Sequence, residues 1–335
     1  MVKRWIYLVS IISLLLIVLV VGCKDENIVM DAEKSIGILK AETTNLEEEE
    51  EENIIKDFRN IVKSNNEPFA LVNFIDQNID KVNEEYRVEM IRELEEVQEK
   101  YIEKYTEQLF IEDYQMELLS LSGLLQSTED EAERDFSSFL FFDESKLEEI
   151  KNVNLKELVD KIFKGKYRLI NMEGAFYPII DYEKLKDYSK YLPDYIKDCI
   201  ELKSMESNMP TILDGGLVIS FDELSQRLIA AESYILKYPE SIKHEEVLRL
   251  YGWYLRFYLE GSINTFIYDY ASKEIKEEVL SSYYEVRDMD ETITAEIVAK
   301  YIDIIEANDK IIDESVLSKV TELHSEAIAR LESER

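Results

Sequence analysis

Apolar residues return every three or four positions along most of this chain, with Glu, Lys and Arg filling the intervening faces, and that period restricts the fold more than any other feature. Met90, Leu94, Val97, Tyr101 and Tyr105 make one such stripe. The spacing predicts an amphipathic helix over 84–109, to which Glu96 and Lys100, four apart, add a small increment. Further helices are expected over 53–62, 69–79, 113–125, 129–141 and 145–163. Beyond 182 the clearest start is Ser220-Phe221-Asp222-Glu223, where the Ser220 hydroxyl is placed to cap the first turn and Glu223 to reach back to the Ser220 amide. Leu224, Leu228, Ala231 and Ile235 form the buried stripe of that helix, which should stop before Pro239. A helix over 240–260 ending at Gly261 should follow, then others over 274–287, 294–306 and 314–331. The expectation is a mainly α protein, a multi-helix bundle or an irregular α-solenoid.

One segment breaks the pattern. Tyr167 to Asp181 is apolar, carries Gly174 and Pro178, and lacks helical spacing. Two short extended pieces turning near Glu173-Gly174 are expected, a β-hairpin near 167–180 whose second strand Pro178 restricts to an edge. This divides the body into a helical region over 53–164 and a second, mainly helical region over 165–335, either separate or packed as one unit.

With 46% hydrophobic and 11% aromatic residues, the chain has the means to bury a core despite 33% charged residues. The formal net charge is -33, and such a field repels phosphates; no basic stripe offsets it, so nucleic acid is excluded as a partner. The only cysteines are Cys23 and Cys199. Cys199 lies in a helical pattern and reads as a small buried thiol. With His244 and His324 the only histidines, a Cys/His metal site has almost nothing to draw on, and none is expected.

Residues 1–22 have the three parts of an export signal: basic Lys3 and Arg4, an apolar run from Trp5 to Val21, and a small residue at the end. Val20-Val21-Gly22-Cys23 resembles a lipobox, the tetrapeptide read by bacterial lipoprotein processing. The resemblance implies cleavage after Gly22, a diacylglyceryl group on the Cys23 sulfur, and a protein lipid-anchored on the extracytoplasmic face of the cell membrane. That covalent lipid would be its one non-protein group; no other cofactor is expected. Losing Lys3 and Arg4 takes the formal charge to -35. An uncleaved spanning anchor is the alternative, with the same side of the membrane for the body. Residues 23–52, with six consecutive glutamates at 47–52, read as a flexible acidic tether that like-charge repulsion extends.

Few segments bear on chemistry. The densest aromatic stretch, Tyr251 to Gly261, offers Tyr251, Trp253, Tyr254 and Tyr258 as residues that could stack on a wall glycan or an envelope protein, or simply fill a core. Asp214-Gly215-Gly216 permits a tight turn or close approach by a ligand, but lacks the spacing of a phosphate loop. Asp288-Met289-Asp290 begins like a calcium loop and fails, because the positions needing Gly and Glu are Ile293 and Ala299. With 72 acidic residues, no catalytic carboxylate pair is identifiable, and the catalytic residues are left unknown.

The segments 173–182, 217–224 and 261–266 are similar to a family of uncharacterised Firmicute lipoproteins and exported proteins, across roughly 76–287. The resemblance implies export and brings no activity or site residue. The resulting expectation is a membrane-tethered extracytoplasmic protein with a non-catalytic binding role. A cell-wall-directed hydrolase is the rival, and a transporter's solute-binding subunit the third possibility.

Overall fold

The computed structural model describes residues 48–125, 137–289 and 292–334. The chain divides into two units, Met1–Lys56 and Asp57–Arg335. Of the first unit, residues 48–56 are described, and all are helical. The helix expected from residue 53 therefore already includes residues 48–52 of the glutamate run. Glutamate is a good helix former when water solvates its charge, and the Asn53 side-chain amide donates to the Glu49 carbonyl one turn back, at 2.8 Å. The rest of the expected tether and the whole leader, including Val20, Val21, Gly22 and Cys23, lie outside the described residues.

The second unit is mainly α. Its first part is built from α1 (Pro68–Asn78), α2 (Glu84–Leu109), α3 (Tyr114–Leu121) and α4 (Val153–Lys164), followed by the hairpin β1 (Tyr167–Met172) and β2 (Ala175–Ile180). The long helix α2 starts where Asn83 accepts from the Tyr86 amide, and its stripe Met90, Leu94, Tyr105 and Leu109 is buried, as the period demands. It packs against α1, α4 and β2. The single helix expected over 145–163 is instead a 3-10 turn, Glu144–Glu149, and α4. Asn152 separates them by accepting from the Asn154 and Leu155 amides, an N-cap that outweighs continuity.

The hairpin pairs Tyr167 with Ile180 and Met172 with Ala175, and turns at Glu173 (φ 50°) and Gly174 (φ 76°). Two successive left-handed residues match the twist of the strands. Pro178 sits in β2, the edge strand, because Phe141 takes the outer side of β1 through a bridge to Ile170. Gln115 covers the β2 edge, donating to the Phe176 carbonyl at 3.0 Å and accepting from its amide at 2.8 Å.

The second part runs through α5 (Asp194–Asn208), a two-residue pair β3 (Ile212–Leu213) and β4 (Gly216–Leu217), then α6 (Phe221–Lys237), α7 (His244–Glu260), α8 (Glu277–Arg287), α9 (Ile293–Ala307) and α10 (Val320–Ser333). Helix α6 packs on α5, α7, α8 and α9, and α7 and α9 both pack on α10. Their facing stripes form one continuous core that includes Leu228, Tyr251, Leu255, Tyr283, Ile297 and Leu331. Ser220 caps α6 by accepting from the Glu223 amide at 3.0 Å, but Glu223 does not reach back to the Ser220 amide. Its carboxylate takes Arg227 at 2.7 Å, because that guanidinium is buried and needs a counter-charge. Helix α7 begins at His244 rather than 240, since Pro239 and a turn closed by the Tyr238 carbonyl occupy the residues before it. Asp57–Arg335 is one compact unit, so the texture change at 165 marks a hairpin inside it.

Candidate functional site

Helix α7 presents Glu246, Arg249, Leu250 and Trp253, which share one helical face, to a cavity of about 700 Å³. The same cavity is lined by Ile170 and Met172 of β1, Ile179 and Ile180 of β2, Ile102 and Glu99 of α2, Lys203 and Glu206 of α5, and Ile212 and Leu213 of β3. Its volume falls in the range of about 300–1,000 Å³ typical of ligand pockets, and its walls are mostly aliphatic. The hairpin supplies one wall because Ile170, Met172 and Ile179 share one face while Tyr167, Leu169 and Phe176 on the other are buried in the core; Ile180, at the end of β2, also borders the cavity. Trp253 stands on the rim, 51% exposed. The Phe257 ring meets it edge-on, with centroids 5.0 Å apart and planes at 72°, which limits the freedom of the indole.

Beneath the apolar walls lies a closed ring of four charges. Lys203 donates to Glu95 at 3.2 Å and to Glu246, while Lys243 donates to Glu95 at 2.8 Å and to Glu246 at 2.9 Å. Lys203 and Glu246 line the cavity, whereas Glu95, 5% exposed, and Lys243, 9% exposed, complete the ring away from it. Burial pushes the Glu246 carboxyl up, but the two lysines beside it pull it further down, to about 2. Burial lowers the affinity of the Lys203 and Lys243 amines for their protons, and the carboxylates of Glu95 and Glu246 more than restore it, leaving both raised. Lys203, Lys243 and Glu246 are therefore charged. Lys203 also lies 4.4 Å from the centre of the Tyr182 ring, another lining residue.

Glu206, another acid lining the cavity, is likewise engaged. Glu206 accepts from the buried Arg227 guanidinium at 2.8 Å, from the Tyr254 hydroxyl at 2.8 Å, and from the Thr211 hydroxyl and amide. Cys199 is 1% exposed, and burial pushes its thiol up to about 12, so it stays protonated and unreactive.

Of the four aromatics singled out in the sequence, the structure separates one from three. Tyr251, Tyr254 and Tyr258 are fully buried, and their hydroxyls are bonded to Thr294, Glu206 and Ser282. They are core, not a stacking surface, because helical spacing places residues 251, 254, 255 and 258 on one face and that face meets α6 and α10. Trp253 points the other way. The Asp214-Gly215-Gly216 turn is also structural. Asp214 (φ 49°) and Gly215 (φ 74°) close β3 on β4, and the Gly215 and Asp214 carbonyls accept from the Asn264 amide and side chain. A Cβ at Gly215 would strike Ile263, so the glycine permits this contact between loops.

Sequence reasoning missed Lys203, Glu206, Glu246, Arg249 and the hairpin isoleucines as neighbours of Trp253. They are brought together from four separate segments, and nothing local marks them. Among the described residues no group of three or more His, Cys, Asp or Glu is disposed to hold a metal ion, and no helix is long and apolar enough to cross a membrane. No protein-family model, curated protein or solved structure matches this chain.

Proposed function

We propose that this chain is a lipoprotein, tethered through Cys23 to the extracytoplasmic face of the membrane, whose body binds a largely apolar ligand without chemically altering it. The observation that carries the binding reading is the aliphatic cavity with the exposed Trp253 on its rim. An indole half in water beside open apolar walls costs free energy that a bound apolar surface would recover. The charged groups of its floor support binding over catalysis: Lys203 and Glu246 pair with each other, Glu206 is held by Arg227, and Glu246 stays ionised down to about pH 2, unlike an acid catalyst. A wall hydrolase would call for a carboxyl held protonated near neutral pH. The mainly α fold also departs from the strand-and-helix lobes expected of a transporter's solute-binding subunit.

Two measurements test the two halves. Intact mass of the native product should show residues 1–22 removed and a diacylglyceryl group on Cys23; an unmodified sulfur or a retained leader defeats the tether. Titration of the full chain with an environment-sensitive apolar dye should show one saturable site that weakens in Trp253→Ala and Leu250→Gln. A dye signal indifferent to both substitutions, with the fold intact by circular dichroism, defeats the cavity as the binding site.

A further inference from the structure

Five charged side chains line the cavity, and three of them are already neutralised. Lys203 and Glu246 answer each other within the ring, Glu206 is held by Arg227, and Arg227 is shared with Glu223. Two remain. Glu99 on α2 and Arg249 on α7 line the cavity, are exposed, and have no ion-pair or hydrogen-bond partner among the described residues. They are of opposite sign, on two different helices, at the border between aliphatic wall and water.

We propose, resting on the reading of this cavity as a binding site, that it takes a zwitterionic amphiphile: an apolar body along the isoleucines and Trp253, an anionic group at Arg249 and a cationic group at Glu99. The charge of the whole protein favours this over a singly charged ligand. A net charge of -33 opposes the approach of a fatty-acid-like anion, and an apolar cation would leave Arg249 unanswered. A ligand with both charges and no net charge meets no such barrier and matches both free groups. Its neutral counterpart would fill the walls equally well but would leave both charges at the mouth partly desolvated and unpaired. The exposed position of both groups makes their contribution one of selectivity, since exposed ion pairs add little affinity.

Such a ligand could be a single-chain lipid or a short apolar peptide with free termini, and the test separates them. The full chain, held in nanodiscs, is titrated calorimetrically against empty nanodiscs with short-chain lysophosphatidylethanolamine, with trileucine, and with a fatty acid, a fatty amine and a monoacylglycerol of the same chain length. One of the two zwitterions should bind more tightly than the fatty acid, the amine and the neutral lipid, and which one identifies the source. Arg249→Gln and Glu99→Gln should each weaken that zwitterion by about fivefold while leaving the monoacylglycerol unchanged. If the monoacylglycerol or either singly charged amphiphile binds as tightly as both zwitterions, or if neither variant alters zwitterion binding, the zwitterion proposal is overturned while the cavity reading stands. If no probe binds and Trp253→Ala changes nothing, the cavity reading itself falls.

Discussion

Lys243 and Glu95 stand 148 positions apart in the chain and 2.8 Å apart in the fold, both buried, joining the start of α7 to the middle of α2. Lys203 and Glu246 make the other half of the same ring, so α2, α5 and α7 are clamped behind the cavity by four ion pairs. Removing one member leaves a buried charge without its partner. Glu95→Gln should therefore cost about 3–5 kcal/mol in urea denaturation, the range for breaking a buried pair from one side. Replacing Glu95 and Lys243 together with leucine and methionine should cost much less, because the desolvation penalty of both charges is removed with their attraction. A double variant as unstable as the sum of the singles would show that the ring is not coupled in this way.

Acid should loosen the clamp through Glu246. Its carboxyl is held at about 2 in the folded chain against 4.5 for the free group, so the folded state binds its proton less tightly than the unfolded state does. The contribution is fully present above about pH 4.5 and is lost as pH falls toward 2. Because the side chain is 32% exposed, water screens the pair, and the contribution is at most about 2 kcal/mol. Melting temperature followed from pH 6 to pH 2 should fall less steeply in Glu246→Gln than in the parent. Parallel curves would mean that other carboxyls govern acid unfolding.

The helices were legible because their evidence is local. The stripe 90, 94, 97, 101, 105 and the Ser220 cap are short-range patterns, and both are realised in α2 and α6. The 173–174 turn was legible for the same reason. Breaks within helical patterns were less so: Asn152 ends one apolar stripe and starts another by side-chain capping, which an apolar period does not register. The cavity was not legible. Trp253 and Tyr254 are adjacent in sequence and opposite in exposure, and only the packing of α7 on α6 and α10 decides which faces water. The ion-pair ring joins residues that are anonymous among 111 charged positions, and its pairing exists only once α2, α5 and α7 meet.

That contrast predicts opposite consequences for neighbouring aromatics. Tyr258 is fully buried, its ring centre 5.0 Å from that of Tyr283, and its hydroxyl is paired with Ser282. Tyr258→Ala should cost about 3–5 kcal/mol from lost burial and the cavity left behind. Trp253→Ala, on an exposed indole, should change stability by less than about 1 kcal/mol while weakening apolar ligands. Denaturation curves of the two variants should thus separate widely; similar losses of stability would place Trp253 among the structural aromatics.

Gly261 ends α7 with φ 76° and ψ -159°, a conformation open to glycine and strained for every other residue. A Cβ there would also collide with the Thr265 carbonyl, which the Ser262 amide engages at 2.8 Å in the turn that follows. Backbone strain and collision act on the same atom, so neither is relieved by a side-chain rotation. Gly261→Ala should therefore destabilise by about 2–3 kcal/mol, whereas Gly174→Ala, at φ 76° with open space around the Cβ, carries the backbone term alone and should cost about 1 kcal/mol. The difference between the two melting curves measures the collision together with the added backbone strain at the Gly261 ψ of -159°. Equal losses would mean that the 262–265 turn can shift away from α7, and the loop that Gly215 docks against would then move with it.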